Sequence, residues 1–538
     1  MKAEMIESWM LRTITETLQA SSNEIPLDAP LTSLGLDSVR LLELAGELAE
    51  FIDCDIPTTM LWQFPTIKDL SRELAAISSD NTELANTAVA SRDSPQVLSF
   101  SQERVWNYAN HTAEGDYNNI FENWEIRGTL NVPVLQQSLS AIVQRHEILR
   151  TTFSMHEGAP AQSIRPFTIA PLTTVDLSTE ASPIEAANKR LNELQHQGVN
   201  TQGDGLFHVF LFTLSDSEYR IVIRFHHLLY DAASLAIFYK ELNENYNSLL
   251  NQDLLIDRRQ ISQVIDFARR QRDRFSNDRG KTSSSEDWWI EHWTNHPSAK
   301  RLKLPALRRT PVEKHSTKPP TLFERSIPSE LLEGVKALST QHGATEYTIL
   351  LSAFVSLLYA HGNLKTLTIA TYSSDRSETA AQQSIGFFIN LLAFRFNFVG
   401  KQTGLSIIEN CQATLSNCAI HQELPFEMLV EKLEALGHKR PRLDVIFQKI
   451  PSLKNSLSLS QLQNDRWESE GTLNNTWGLT VDIVESDNGS LSARFRFNPN
   501  RYQPSKVEQL LEQYLEILEG IVTSPEGQIP VFKKFKLF

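Results

Sequence analysis

The chain has 538 residues, 41% of them hydrophobic, so it is long enough for roughly three or four domains with full cores. A formal net charge of -14 argues against a nucleic-acid binder, which usually has a concentrated basic surface. The cysteines Cys54, Cys411 and Cys418 predict neither a disulfide framework nor a metal site. No apolar run approaches a membrane span, and the acidic N-terminus has no signal-type core. These features predict a cytoplasmic protein that binds neither nucleic acid nor membrane.

The first unit of the chain is predicted to be a small helical bundle. Apolar residues have helical spacing from Ile6 to Leu18 and from Leu41 to Ile52, and a third helical segment runs from Ile67 to Ile77. Residues 79–97 are small and polar without apolar periodicity, as expected of a linker. We therefore predict a domain at residues 1–78 followed by a linker at 79–97.

Within this unit a serine begins an amphipathic helix directly after a glycine-containing turn. The segment from Leu34 to Leu42 reads Leu-Gly-Leu-Asp-Ser-Val-Arg-Leu-Leu, and Asp37 or Ser38 in it could be an ordinary helix N-cap. The segment, together with the loop from Ile56 to Ile67, resembles the acyl and peptidyl carrier proteins. The resemblance implies a four-helix-bundle-type carrier domain whose Ser38 receives 4′-phosphopantetheine from a phosphopantetheinyl transferase.

Beyond the linker, predicted strands alternate with predicted helices, which is typical of an α/β fold. The predicted strands are Asn123–Arg127, Phe207–Leu214, Thr366–Thr371, Leu391–Phe398 and Leu491–Asn498. The predicted helices are Val134–Arg145, Ser329–Gln341, Tyr347–Tyr359 and Pro504–Val522. A polar and basic segment near residues 294–320 is predicted to connect two halves, which we assign to residues 98–300 and 301–538.

The most informative segment runs from Phe225 to Ser234 and contains two histidines followed by a carboxylate. Tyr219–Phe225 alternates like a strand and Ala232–Tyr246 has helical spacing, so the histidines are predicted to lie on a strand-to-helix turn. A neutral histidine there can accept a proton from an amine or hydroxyl that attacks a carbonyl. A structural role fits as well, because Asp231 can cap the helix and paired histidines can pack as polar core groups.

Six segments resemble, in order, the motifs of condensation domains of nonribosomal peptide synthetases. They are Ser99–Trp106, Arg145–Phe153, Phe225–Ser234, Ile385–Asn390, His421–Val430 and Arg442–Gln448. Each alone is a weak signal, whereas six in order across residues 98–538 are a specific one. The resemblance implies two chloramphenicol-acetyltransferase-like lobes that form a V, with the active site in a tunnel between them.

The resemblance also implies roles for individual residues. His227 is expected to be the catalytic base and His226 to orient the turn. Asp231 is expected to form a buried pair with an arginine, for which Arg145 and Arg376 are both candidates. The residues expected near the tunnel are Ala232, which replaces the family's usual glycine, and Asn390, Trp477 and Gly478. No metal is implied.

The implied function is that of an acyltransferase. A donor-loading enzyme or an upstream synthase would charge the carrier, and the acyl or peptidyl group would pass to a small-molecule or carrier-bound amine or hydroxyl. One alternative is a terminal cyclising domain, although fungal examples often have serine where this chain has His226. The other is a non-catalytic recruitment platform, against which the intact His-His-x-x-x-Asp pattern argues.

A narrower resemblance concerns the type of synthetase. Tyr230, Asp231 and Ser234 resemble condensation domains of fungal synthetases of secondary metabolism. Met1 and the short tail at residues 531–538 are compatible with a free-standing protein, although an excised part of a larger synthetase fits equally. A free-standing carrier and condensation pair resembles the ester-forming proteins of fumonisin-type fungal pathways, which favours an ester product slightly over an amide.

Overall fold

The computed structural model describes most of the chain. The residues outside its description are 1, 19–24, 35–43, 45–46, 49–50, 53–59, 81–91, 111–118, 204, 254–260, 278–283, 296–303, 305–320, 363–364, 375, 377–378, 451–456, 468–477, 487 and 531–538. Two predicted functional residues, Ser38 and Trp477, therefore lie outside the described residues.

The N-terminal region is helical where the structure describes it. Helix α1 spans Ala3–Leu18, α2 spans Met60–Gln63 and α3 spans Ile67–Asp80, with a 3-10 helix at Leu31–Leu34. Their inward-facing side chains recur every three or four residues and form one apolar cluster. It includes Ile6, Met10, Ile14, Leu31, Met60, Leu61, Ile67, Leu70 and Leu74. The 3-10 helix and α2 lie against two helices of the C-terminal half of the chain.

The first half of the remaining chain alternates between strands and helices, as predicted. Its strands are β1 (Gln96–Val97), β2 (Asn119–Arg127), β3 (Thr151–His156), β4 (Ala159–Ile164), β5 (Leu172–Asp176), β6 (Phe207–Ser215) and β7 (Glu218–His226). Its helices are α4 (Phe100–Asn110), α5 (Val132–Arg145), α6 (Pro183–Gln195), α7 (Ala232–Leu250) and α8 (Val264–Asn277).

The second half also contains both strands and helices. Its strands are β8 (Thr321–Ser326), β9 (Thr366–Ser374), β10 (Ile389–Asn397), β11 (Val445–Ile450), β12 (Gln463–Arg466), β13 (Leu479–Glu485) and β14 (Leu491–Phe497). Its helices are α9 (Ser284–Thr294), α10 (Ser329–His342), α11 (Glu346–Gly362), α12 (Thr379–Gln382), α13 (Gly404–Ile420), α14 (Phe426–Ala435) and α15 (Pro504–Thr523).

The N-terminal lobe is built on a sheet of order β12-β2-β7-β6-β5, and a small sheet of order β1-β4-β3 lies beside it. Strand β7 is flanked by antiparallel partners on both sides and is buried from Arg220 to His226. Helices α5 and α7 pack against each other, and Phe225 of β7 packs perpendicular to Phe238 of α7 with ring centroids 5.2 Å apart. The core of this lobe therefore fixes the end of β7.

The C-terminal lobe has a mixed sheet of order β10-β9-β11-β13-β14-β8. The contacts of β11 with β9 and β13 are parallel, and the other pairings in this sheet are antiparallel. Helix α11 is buried from Thr348 to Ala360, because α10, α13 and α15 surround it. In the connection between the antiparallel strands β9 and β10, Arg376 and residues 384–388 contact the N-terminal lobe.

The two lobes exchange segments, so the division at residue 300 does not follow the packing. Strand β12 comes from the second half but pairs with β2 of the first, and its Arg466 contacts the buried Glu122 at 3.0 Å. Leu457 and Leu459 also join the N-terminal core. Conversely, Trp289 of α9 packs in the C-terminal core, although the sequence assigned it to the first lobe.

The predicted linker is anchored at its end. The Arg92 guanidinium contacts Asp266 of α8 at 2.7 Å and Glu147 at 3.0 Å, and β1 pairs with β4. These contacts attach residues 92–97 to the N-terminal lobe and leave residues 81–91 as the segment between α3 and that anchor. Residues 92–97, which the sequence assigned to the linker, thus contact the N-terminal lobe.

Among the helices that the structure describes, none alone is long and apolar enough to cross a membrane. The helices α10 and α11 meet the criteria of length and composition only when taken together, and they are bent by 105° relative to each other.

Candidate active site

The histidine motif lies where β7 ends and α7 begins. The His226 backbone N–H donates to Leu206 O at 2.7 Å, which completes the ladder, and Leu229 N–H donates to His226 O at 2.9 Å, which closes the turn. The His226 side chain is fully buried, and its Nδ1 accepts from Leu228 N–H at 3.2 Å. These contacts are those expected of a residue that orients the turn.

His227 follows on the turn and is only partly buried. Its ring packs edge-on against Phe387, with centroids 5.1 Å apart. Its Nδ1 is buried and has no hydrogen-bond partner among the described residues. Burial lowers the pKa of the His227 imidazole to about 4, and the adjacent His226 and the Arg104 guanidinium act in the same direction. The imidazole is therefore neutral at neutral pH and can accept a proton.

Asp231 caps α7 and pairs with an arginine of the other lobe. Its carboxylate accepts from Ser234 N–H at 2.8 Å and from Arg376 Nη2 at 2.7 Å, and the two side chains are 2% and 5% exposed. Phe388 N–H donates to the second Asp231 oxygen at 3.2 Å. The structure thus pairs Asp231 with Arg376, which follows β9 of the C-terminal lobe.

Arg145, the other candidate for that pair, has a different partner. Its Nε contacts Glu241 Oε1 at 3.0 Å, and the buried His146 contacts the second Glu241 oxygen at 3.1 Å. His146 Nδ1 in turn accepts from Ile385 N–H at 3.2 Å. Arg145 therefore belongs to a second polar network, which holds the end of the connecting segment, just before β10.

The junction between the lobes surrounds the Asp231 pair. Arg376 Nη1 donates to Ala381 O at 2.7 Å and to Ser384 O at 2.6 Å, so it also shapes its own loop. Ser234 Oγ accepts from Gly386 N–H at 2.9 Å. A β-carbon at Gly386 would collide with Val264 of α8, so glycine is required for this close approach. The motif turn and the loop before β10 are therefore locked together.

The predicted tunnel residues occupy different environments. Ala232 is exposed in the first turn of α7. Asn390 lines a small cavity, but its amide is fully engaged: Nδ2 donates to Gln422 O at 2.7 Å and Leu424 O at 2.9 Å, and Oδ1 accepts from backbone N–H groups. A β-carbon at Gly478 would lie 2.6 Å from Asp444 O, so this glycine permits close packing of two strand ends.

An ion pair that the sequence did not predict joins the lobes near His227. Arg104 Nη1 of α4 lies 2.6 Å from Glu427 Oε1 of α14, and the side chains are 20% and 18% exposed. Both residues belong to recognised motifs, but they are 323 positions apart and no local pattern relates them. Glu427 also lines the small cavity, together with Ser101, Phe267, Gln271, Phe388, Ile389, Asn390 and Pro425.

We expect Asp231→Ala to destabilise the protein as well as to lower activity. The substitution leaves the buried Arg376 cation without its carboxylate, which typically costs about 3–5 kcal/mol, and it also removes a helix cap. Thermal and urea denaturation should show an earlier transition. Asp231→Asn keeps an oxygen that can cap α7 and should lose less. Equal midpoints for Asp231→Ala and the wild type would contradict this structural role.

Two family matches cover most of the chain. Residues 94–533 match the family described as Condensation domain, and residues 8–74 match the Phosphopantetheine attachment site. The first range includes His227 and the second includes Ser38. Domains of the second family carry covalently attached 4′-phosphopantetheine, which is therefore the cofactor of this chain. The predicted attachment residue Ser38 is among those that the structure does not describe.

Curated relatives are much longer than this chain. One of the linear gramicidin synthase proteins of Brevibacillus parabrevis is 28% identical over 534 residues, which are 97% of this chain and 10% of that protein. Malpibaldin synthetase of Mortierella alpina is 28% identical over 405 residues, which are 74% of this chain and 7% of the synthetase. The chain thus spans a tenth or less of the length of these two relatives.

Solved structures share the fold. The X-domain from teicoplanin biosynthesis superposes with a TM-score of 0.72 at 21% identity, covering 83% of this chain and 99% of that domain. The first condensation domain of the calcium-dependent antibiotic synthetase, in complex with a substrate analogue, gives a TM-score of 0.65 at 18% identity, with coverages of 82% and 100%. The chain belongs to the condensation-domain family of nonribosomal peptide synthetases and combines this domain with a preceding phosphopantetheine carrier domain.

Proposed function

We propose that this chain is an acyltransferase that moves a thioester-bound acyl or peptidyl group to an amine or hydroxyl acceptor. The observation that carries the proposal is a neutral, partly accessible His227 imidazole, fixed where the two lobes meet by the turn that the Asp231–Arg376 pair holds. A platform that only recruits partners has no need of a proton acceptor held in this way.

Each residue of the proposed site has a separate role. When bound to Ser38, 4′-phosphopantetheine supplies a thiol that holds the acyl group as a thioester. His227 accepts the proton that the acceptor nitrogen or oxygen loses as it bonds to the acyl carbon, and returns it to the sulfur as the C–S bond of the thioester breaks. Asp231 and Arg376 fix the turn and the loop before β10, so that the imidazole stays in place. The buried His226 side chain accepts a hydrogen bond from Leu228 N–H and so orients the turn.

The finer assignments are also part of this proposal. The carrier occupies residues 1–78 as a four-helix bundle, and the two lobes form a V with a tunnel between them. A phosphopantetheinyl transferase modifies the carrier, and a donor-loading enzyme or upstream synthase charges it. The protein acts in the cytoplasm in fungal-type secondary metabolism, and we favour an ester slightly over an amide on the resemblance to free-standing ester-forming pairs.

A freely diffusing acceptor is the expected second substrate if the chain works alone, with Ala232 narrowing the acceptor side relative to glycine. Acyl groups should then pass from the loaded chain to soluble amines or alcohols, detected by mass spectrometry of the released product. A chain loaded in the same way but carrying His227→Ala gives the background rate. Transfer only to a second carrier-bound substrate would instead indicate a part of a longer assembly line.

A further inference from the structure

The segment just before β10 is fastened to the N-terminal lobe by backbone N–H groups that donate to side chains of that lobe. These bonds join Ile385 to His146 Nδ1 at 3.2 Å, Gly386 to Ser234 Oγ at 2.9 Å and Phe388 to an Asp231 oxygen at 3.2 Å. Phe387 lies between these fixed positions, and its buried ring packs edge-on against the His227 imidazole. The fastened segment therefore holds an aromatic ring against the proposed base.

The Phe387 ring restricts how the His227 imidazole can turn. An imidazole can rotate about its side-chain bonds, whereas a base must direct one nitrogen at the proton that it accepts. The two ring centroids are 5.1 Å apart, and Phe387 is itself 3% exposed, so it cannot move aside without disturbing the core. A misplacement of about 1 Å in a reacting group can cost about 100-fold in rate. The position of Phe387 thus matters for catalysis.

His146 is the anchor of this segment that lies outside the histidine motif. It is fully buried at the end of α5, where its N–H donates to Ile142 O at 2.9 Å. Because Nδ1 accepts from Ile385 N–H, the ring proton lies on Nε2, which contacts Glu241 Oε2 at 3.1 Å. Arg145 holds the other Glu241 oxygen at 3.0 Å. One nitrogen of His146 thus faces the segment before β10, and the other faces α7.

We propose that His146 is a positioning residue for acyl transfer: through Ile385 N–H it holds Phe387 against His227 and so keeps the imidazole directed at the acceptor. This inference rests on the proposed acyl transfer and adds a residue that acts through the base. A purely structural His146 would link α5 to α7 through Glu241, and the imidazole would then be indifferent to the bond with Ile385.

Two amide variants separate the two hydrogen bonds of His146. The amide of His146→Asn lies near the position of Nδ1 and can accept from Ile385 N–H, whereas that of His146→Gln lies near the position of Nε2 and reaches Glu241 instead. Each variant loses one buried hydrogen bond, so both should lower the melting temperature. His146→Gln should also lower kcat roughly 10-fold to 100-fold, whereas His146→Asn should stay within a few-fold of the wild type.

The rates are measured on the full chain, loaded from butyryl coenzyme A by a phosphopantetheinyl transferase and titrated with propylamine and 1-propanol as separate probes. In His146→Gln the loss should appear in kcat, with the KM for the probe within a few-fold of the wild type, because His146 acts on the base and not on the probe. Phe387→Leu removes the ring and keeps the His146 bond, so it should lower kcat to a similar extent. It takes the place of His146→Gln if that variant does not fold.

NMR of the histidine-labelled chain reports the position of the imidazole without any transfer. The ring current of Phe387 displaces the His227 Cε1–H resonance, which is identified by its loss in His227→Ala. In His146→Gln this resonance should move toward its position in Phe387→Leu. In His146→Asn it should stay close to its wild-type position.

The outcomes separate the role of His146 from the transfer itself. Equal kcat values in the two His146 variants, a wild-type kcat in Phe387→Leu, or an unmoved His227 resonance in His146→Gln would each overturn the positioning role. The transfer by the wild type would stand in all three cases. A loaded wild type that transfers to neither probe would overturn both the transfer to a free acceptor and the part that His146 plays in it.

Discussion

Ser38→Ala should abolish the mass gain that the chain shows after incubation with coenzyme A and a phosphopantetheinyl transferase. Ser38 ends a Gly-x-Asp-Ser segment, after which the sequence predicts an amphipathic helix, and the matched attachment-site range contains it. Without a hydroxyl at this position there is no atom to form the phosphodiester, so the loss should be complete. Intact-mass spectrometry measures it directly.

Ser8→Ala provides the control for this experiment. Ser8 is an exposed serine of α1 in the same domain, and its hydroxyl contacts only Glu4 O among the described groups. This variant should gain the full phosphopantetheine mass. A full gain in Ser38→Ala would instead refute the assignment of the attachment site and leave the loading route of the proposed function without support.

His227→Ala should lower the transfer rate by about 10²–10⁴-fold, the usual contribution of general-base assistance. The fold should survive, because His227 is only partly buried and its Nδ1 satisfies no other group of the described residues. Single-turnover loss of the acyl group from the loaded chain measures the rate, and thermal denaturation checks the fold. His208→Gln is the matched control, since burial likewise lowers the pKa of His208 to about 4 but that residue lies on β6.

The pH dependence of the wild type follows from the same imidazole. A pKa of about 4 means that His227 stays neutral down to about pH 5, so its protonation should not slow transfer between neutral pH and that point. Below it, protonation removes the acceptor and the rate falls. A wild-type rate that already falls near pH 6.5 would contradict this prediction. If the same fall persists in His227→Ala, a group other than His227 controls the rate.

The sequence predicts those parts of the site whose residues lie close together in the chain. Alternating apolar residues before His226 and helical spacing after Ala232 suffice to place the histidines on a turn, because strand and helix periodicities differ. The Asp231 cap is local too, since its partner Ser234 lies within the same turn of α7. Short-range patterns therefore place the proposed base and the helix cap on one turn, whereas the role of His227 as a base comes from the family resemblance.

Contacts between distant segments could not be derived in the same way. Arg376 lies 145 positions from Asp231, and Arg145 has the same charge and a motif of its own, so only the fold distinguishes them. Strand β12 reads Gln-Asn-Asp-Arg, which lacks the β-branched and aromatic residues typical of strands. Its pairing with β2 depends on the neighbouring sheet rather than on its own sequence.

Gly478 shows that the sequence alone does not reveal why a glycine is needed at a given position. A glycine in a motif-like Trp-Gly pair was expected to line the tunnel, yet a β-carbon there would meet Asp444 O at 2.6 Å and the Tyr502 hydroxyl at 2.7 Å. The need for glycine arises from close packing at the start of β13. A sequence pattern records that a small residue is needed but not which neighbour requires it.

The most direct test of acyl transfer is the intact mass of the acyl-loaded chain, followed over time with a soluble amine or alcohol. We expect the wild-type mass to fall to that of the phosphopantetheine form while an acylated acceptor appears, and His227→Ala to keep its acyl group under the same conditions. Equal rates of acyl loss in the two proteins, with only hydrolysed acid as product, would contradict acyl transfer by this chain.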